Sequence, residues 1–242
     1  MNEQEKIIEV HDLVKMFGSF CANDHLNFDV YKGEIFGFLG ANGAGKTTAM
    51  KIICGLSHPT SGKVSVAGFD IYTQQNLIKK NIGYMSQKFS LYEDLTVYEN
   101  LRFFAGIYGL DRKTIRLKSE QLFAKLGITE YKNKLVAEIP LGWKQKIAFS
   151  VAIFHDPKIV FLDEPTGGVD PLTRRQFWEM IYDAARNGIT VFVTTHYMDE
   201  AEYCDRVSIM VDGKIAALDT PQNLKQEFGA ANMEDVFLTL AR

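Results

Sequence analysis

The residues Gly40-Ala41-Asn42-Gly43-Ala44-Gly45-Lys46-Thr47 carry the strongest chemical signal in the chain. Gly40 and Gly45 permit a tight turn in which successive amide N–H groups point inward, and a helix following the loop adds its positive end. Phosphate oxygens fit such a cradle. Lys46 is placed to reach β- and γ-phosphates as a point charge, and the Thr47 hydroxyl to ligate magnesium, so ATP and Mg2+ are the expected ligands. Asn42, Gly43, Ala44 and Thr48 complete the cradle and its first helical residues. With glycine near 7% of residues, this spacing arises in only about one random chain in a hundred of this length. An apolar run, Ile35-Phe36-Gly37-Phe38-Leu39, precedes it and a helix-compatible Thr48-Ala49-Met50-Lys51-Ile52-Ile53 follows. That context disfavours a ligand-free glycine turn. Gly55 suits the end of the helix.

A second cluster is acidic. Asp163 and Glu164 directly follow Ile159-Val160-Phe161-Leu162, and adjacent carboxylates at a buried strand end repel unless a cation sits with them. Asp163 is then the metal-side carboxylate and Glu164 the residue that polarises an attacking water. The alternative is a solvated turn before Pro165. His196, in Thr194-Thr195-His196, ends another apolar run and either donates to a γ-phosphate or is structural. Gln87, beyond a short strand over residues 82–85, either touches metal or water or is an ordinary surface residue.

These groups need elements to position them. Three continuous apolar runs, at 35–39, 159–162 and 191–193, suit central parallel strands covered on both faces. Each ends in polar or glycine-rich residues, and open parallel sheets bind ligands beyond their carboxyl ends. The chemistry is therefore expected along one sheet edge. Residues 26–30 alternate like a half-buried antiparallel strand, and two β-rich runs flank Asp212-Gly213, a favoured hairpin turn. Residues 91–154 show helical spacing in Val97-Leu101-Phe104 and Leu122-Leu126, interrupted at Gly109, Gly127 and Pro140, and are read as a mainly helical insertion.

The 242 residues are 46% hydrophobic and 24% charged, with formal net charge -3, which predicts a sizeable core and no nucleic-acid partner. Three cysteines with no metal-ligand spacing fit a reduced compartment. Residues 1–9 are polar, so no export signal is expected, and the longest apolar run, 147–154, is far below the roughly 20 residues needed to span a bilayer. A cytosolic protein is expected, linked to a membrane only through a partner.

Taken together, the Gly40–Thr47 loop, Gln87, Phe161-Leu162-Asp163-Glu164-Pro165-Thr166, Gly168-Val169-Asp170-Pro171 and Thr194-Thr195-His196 resemble the ATP-binding subunits of ABC transporters in order and spacing. The resemblance covers almost the whole chain. It implies an α/β fold: a P-loop NTPase (RecA-like) core at 1–88 and 157–242 with an antiparallel β subdomain, and an α-helical subdomain inserted at 89–156, all within one ATP-binding domain. It also implies that Phe17 stacks on adenine, the alternative being a core phenylalanine, and that Gln87 couples nucleotide state to a permease. Residues 91–96 would line the groove that receives the permease's coupling helix, or else pack internally. Such domains hydrolyse ATP as head-to-tail dimers, with Asp170 contributing across the interface.

Ile139-Pro140-Leu141-Gly142-Trp143 stands where the family usually has Leu-Ser-Gly-Gly-Gln. Pro140 removes a hydroxyl and an N–H from the group that holds the partner's γ-phosphate. Proline is acceptable in a first helical turn, so the amides of Gly142 and Trp143 are expected to keep facing the anion. Loss of a donor implies turnover lower by roughly 100-fold unless compensated. The Pro-Leu-Gly-Trp variant, Thr195-His196-Tyr197-Met198-Asp199-Glu200-Ala201-Glu202 and residues 233–238 resemble a subgroup serving ABC-2-type bacterial exporters. This implies an ATPase motor at the cytoplasmic face of a bacterial inner membrane, paired with an ABC-2-type integral permease and a second ATP-binding subunit, identical or different. The alternatives are an ATP-gated dimerising module with little hydrolysis, and a soluble ABC-type ATPase outside transport.

Overall fold

The computed structural model describes residues 4–87 and 91–241. The first residues of the polar 1–9 segment, and the expected boundary between 88 and 89, lie outside the described residues.

The chain opens with a long hairpin, β1 (Lys6–Phe17) and β2 (Phe20–Tyr31), paired antiparallel, with β4 (Ser61–Val66) on the other side of β1 and a short β5 (Phe69–Asp70) beyond it. Residues 26–30 alternate between buried and more exposed as expected, within a strand longer than the sequence indicated. A second sheet contains β3 (Ile35–Gly40), β6 (Ile82–Met85), β7 (Ile159–Asp163), β8 (Thr190–Thr195), β9 (Arg206–Val211) and β10 (Lys214–Asp219), in the order β10-β9-β3-β8-β7-β6. All its pairings are parallel except the β9–β10 hairpin, which turns at Asp212-Gly213, both at positive φ. Every residue of β3, β7 and β8 is buried.

That burial is two-sided. From β3, Phe36 and Phe38 face the antiparallel sheet, where Phe28 lies 5.7 and 5.4 Å from their ring centres, and Phe192 bridges to Phe161 at 5.3 Å. Offset aromatic contacts of this kind add to the area they bury. Ile35 and Leu39 instead join Leu162, Val191 and Val193 in a second core covered by helices. The continuous apolar runs thus reflect strands with an apolar neighbour on each face.

Among the helices, α1 (Lys46–Ile53) leaves the phosphate loop and ends before Gly55 at φ 69°, and α2 (Gln75–Asn81) precedes β6. Between β6 and β7 run α3 (Val97–Ile107), α4 (Arg112–Leu126) and α5 (Leu141–Ile153), with 3-10 turns at Thr129–Tyr131 and Val136–Glu138 and no strand among the described residues. Thr96 and Glu99 form a reciprocal capping box at the start of α3, Asp111 caps α4, and Gly127 closes α4 in the left-handed region. Then come α6 (Pro171–Arg186), a 3-10 segment Met198–Tyr203, α7 (Pro221–Glu227) and α8 (Met233–Leu240). No helix among the described residues is long and apolar enough to cross a membrane.

The helical segment is pressed against the parallel sheet where α5 crosses β6. A β-carbon on Gly83 would lie 2.0 Å from the Ala152 carbonyl oxygen. Substitution Gly83→Ala is therefore expected to push α5 off the sheet and lower stability by about 1–3 kcal/mol, read as a fall in the thermal unfolding midpoint.

Candidate functional site

The phosphate loop connects the end of β3 to α1 and is fixed from outside by groups distant in sequence. The Asn23 side-chain amide donates to Gly45 O (3.1 Å) and the Gly213 N–H to Ala44 O (3.2 Å). Gly45 has φ 99°, and a β-carbon there would lie 2.3 Å from Ala22 O, so only glycine passes. Lys46 Nζ donates to the loop carbonyls of Gly40 (2.7 Å) and Ala41 (3.0 Å). Burial holds this amine below the ordinary lysine range, opposed by Glu164 and then Asp163. Asn42, Gly43, Gly45, Lys46, Thr47, Thr48, Gln87 and Glu164 line a cavity of about 310 Å³, together with Phe20 and Ala22. Ala44 is not among these lining residues; it is buried, and its N–H donates to Ala41 O at 3.2 Å.

The acidic pair approaches from β7. Asp163 Oδ1 accepts hydroxyl hydrogen bonds from Thr194 (2.7 Å) and Thr47 (3.3 Å), an all-oxygen group of the kind a hard divalent cation prefers. Glu164 stands at φ 49°, a costly region for a non-glycine residue. Its N–H donates to the carbonyl and the hydroxyl of Thr194, each at 3.1 Å. Three side chains meet its carboxylate: Gln87 Nε2 donates to Oε2 at 2.8 Å, His196 Nδ1 lies 3.2 Å from Oε2 but off line for a hydrogen bond, and Lys46 Nζ lies 3.9 Å from Oε1. Parallel pairing causes this convergence, because register sets Asp163 beside Thr194 and Leu39 beside Thr195.

The remaining expected residues are placed elsewhere. Phe17 ends β1 opposite Phe20 in the tip of the hairpin; both rings are exposed, with the Lys15 ammonium 5.0 Å from the Phe17 ring centre, and it is Phe20 that lines the cavity. Asp170 caps α6: its carboxylate accepts from the N–H groups of Leu172 (3.1 Å) and Thr173 (3.0 Å) and from the Thr173 hydroxyl (2.6 Å), which holds its pKa below the ordinary carboxylate value. Gly142 packs against the same threonine, since a β-carbon there would lie 2.8 Å from Thr173 Cγ2. The starts of α5 and α6 thus touch through Thr173.

Two expectations at the variant signature are corrected. Pro140 is the N-cap of α5, at φ −57° and ψ 145°, outside rather than inside the first turn. The Trp143 N–H donates to the Pro140 carbonyl at 2.9 Å, because the helix opens with a tight i to i+3 bond; it does not face outward. Leu141 and Gly142 keep the amides that have no partner within the helix. The Trp143 ring instead packs under the Lys146 ammonium, 4.4 Å from its centre, and against Tyr131.

Sequence reasoning missed Asn23, Gly213 and the role of Thr194. Asn23 and Thr194 are fully buried polar residues, but each has polar neighbours on its own strand, so the sequence carried no distinct signal for them.

Fold and site together define a P-loop nucleotide-binding ATPase domain. Residues 23–167 match the family described as ABC transporter. The probable multidrug ABC transporter ATP-binding protein YbhF of Escherichia coli (strain K12) is 48% identical over 98% of this chain, which spans 42% of that protein's length. The linearmycin resistance ATP-binding protein LnrL of Bacillus subtilis (strain 168) is 34% identical over 92% of this chain and 72% of its own length. A solved structure titled as the ATP binding subunit of an ABC transporter superposes with a TM-score of 0.87 at 29% identity, over 97% of this chain and 99% of that one. The chain belongs to the ABC transporter family, as an ATP-binding domain.

Thr194→Val removes the hydroxyl shared by Asp163 and the Glu164 amide while keeping the strand's shape. It is expected to lower kcat for ATP hydrolysis by roughly 10–100-fold, the cost of an unmet hydrogen bond to a buried charged group, measured by steady-state phosphate release.

Proposed function

We propose that this chain is the ATP-hydrolysing motor of an ABC-2-type export complex, working with an integral permease and a second ATP-binding subunit at the cytoplasmic face of a bacterial inner membrane. The observation that carries the reading is the meeting of Gln87, His196 and Lys46 at the Glu164 carboxylate, beside a phosphate cradle. Export rather than import is supported by relatives described by multidrug transport, linearmycin resistance and bacitracin transport, and by the Pro140-Leu141-Gly142-Trp143 segment.

The residue roles follow from position. Lys46 and the loop amides hold the β- and γ-phosphates. Thr47 and Asp163 offer oxygens to Mg2+, with the Gln87 amide beside them; the ion, when bound, supplies charge neutralisation to the phosphates. Glu164 accepts hydrogen bonds from a water opposite the γ-phosphate and draws off its proton as attack proceeds, while His196 steadies the terminal phosphate. Phe17 and Phe20 offer aromatic faces to adenine from the hairpin tip. Segments 1–88 and 157–242 form the catalytic lobe and 89–156 the lobe that meets the permease, with residues 91–96 lining its groove. Tyr92, Phe103 and Ile107 give that surface exposed apolar area.

Catalysis needs a second subunit, because the free amides of Leu141 and Gly142 at the start of α5 are read as completing the phosphate site of the opposite chain, with Asp170 holding the neighbouring α6 start. One observation favours an ATP-gated module with little hydrolysis: the inward-turned Trp143 amide, added to the donors absent at Pro140, leaves a thin cradle.

In the purified complex with its permease, Glu164→Gln is expected to abolish turnover while ATP binding persists; equal phosphate release by variant and wild type would contradict the motor. Pro140→Ser, which restores a hydroxyl and an N–H, is expected to raise turnover toward the roughly 100-fold attributed to a lost donor.

A further inference from the structure

His196 is held loosely by the polar groups around it. Its imidazole is about one-third exposed, and its Nδ1, the nitrogen facing Glu164, has no aligned hydrogen bond. The ring packed against it is that of Tyr197, 4.2 Å between centres and tilted by 35°. The Tyr197 ring in turn carries the Arg174 guanidinium, 4.2 Å from its centre. The same guanidinium is flanked by two acids: its Nε lies 3.6 Å from Oε1 of the fully buried Glu200, without an aligned hydrogen bond, and its Nη1 3.5 Å from Asp199. Glu200 also accepts the Thr166 hydroxyl, two residues beyond Glu164. A row of contacts therefore runs from Thr166 through Glu200, Arg174 and Tyr197 to His196, and the Tyr197 N–H is anchored to the Thr195 hydroxyl at 3.0 Å.

We propose that Tyr197 is a positioning residue for His196, its ring braced by the Arg174 guanidinium so that the imidazole stays aimed at the Glu164 edge of the phosphate cavity. This rests on the motor reading of the site. A cation over one aromatic face is attracted by the ring's quadrupole, which favours one ring orientation. The side-chain contacts that Tyr197 makes to His196 and Arg174 are both through its ring, so the flat face is the working part. Because Arg174 lies in the first turn of α6, four residues after Asp170, the aim of His196 is tied to the helix start that also touches Gly142 through Thr173.

The test is a double-mutant cycle on ATP hydrolysis by the complex. Tyr197→Leu is expected to lower kcat by about tenfold or more with KM for ATP changed less than about twofold, and Tyr197→Phe to restore the wild-type rate. In a His196→Ala background, Tyr197→Leu is expected to cost nothing further, because its effect passes through the histidine. Arg174→Lys keeps a charge near Glu200 but loses the flat face, and is expected to lower kcat without moving KM. The proposal is overturned if Tyr197→Leu keeps the wild-type kcat, if phenylalanine is as damaging as leucine, or if the leucine and alanine losses multiply. Wild-type turnover in Arg174→Lys overturns the bracing role. Wild-type turnover in His196→Ala alone would instead overturn the reading of the site itself, and this inference with it.

Discussion

A lysine that is 4% exposed sets the terms for everything around it. The Lys46 ammonium has left water, and a cation so placed is tolerated only where oxygens replace its hydration. Two carbonyls of its own loop and the Glu164 carboxylate supply them. For the carbonyls to turn inward, the loop must pass through backbone angles that only glycine adopts freely, as at Gly45. For the carboxylate to arrive, β7 must lie close to β3 in a parallel sheet, and β8 between them does this. The same geometry leaves a cavity whose charges balance only in part, which suits a polyanion with a divalent cation.

Much of this was legible in the sequence because it is local. The loop spacing, the acidic pair after an apolar run and the Asp212-Gly213 turn each depend on neighbouring residues, and two-sided apolar runs can sit only in the middle of a covered sheet. What was not legible depends on contacts across long stretches of chain. Nothing adjacent to Asn23 or Gly213 indicates that they clamp a loop some 20 residues or more away, and Thr194 looks like any β-branched strand residue until register sets it beside Asp163. The Trp143 amide failed for another reason: whether a helix opens with an i+3 or an i+4 bond is decided by backbone detail that side-chain identity does not encode. At the hairpin tip, Phe17 is the expected aromatic, and it is its cross-strand partner Phe20 that lines the cavity.

The site also divides by firmness. The Lys46 and Asp163 side is buried, with Glu164 at its partly open edge, and is cross-braced by hydrogen bonds among three strands and a helix. By contrast, the starts of α5 and α6 present exposed Leu141 and Leu172, joined at Gly142 and Thr173. A rigid half and a more open half are what a composite site needs if nucleotide is to enter before a second subunit closes over it. Burial thus goes where charge must be held, and exposure falls on the starts of α5 and α6 proposed to meet a second subunit.

The central claim is that the loop around Lys46 holds the triphosphate, and titration of the purified chain with ATP and Mg2+ by calorimetry tests it most directly. Wild-type chain should bind one ATP, and Lys46→Ala should weaken binding by about 100-fold, the loss of a buried charge-assisted contact of roughly 3 kcal/mol. Equal affinity in the two proteins would contradict the account.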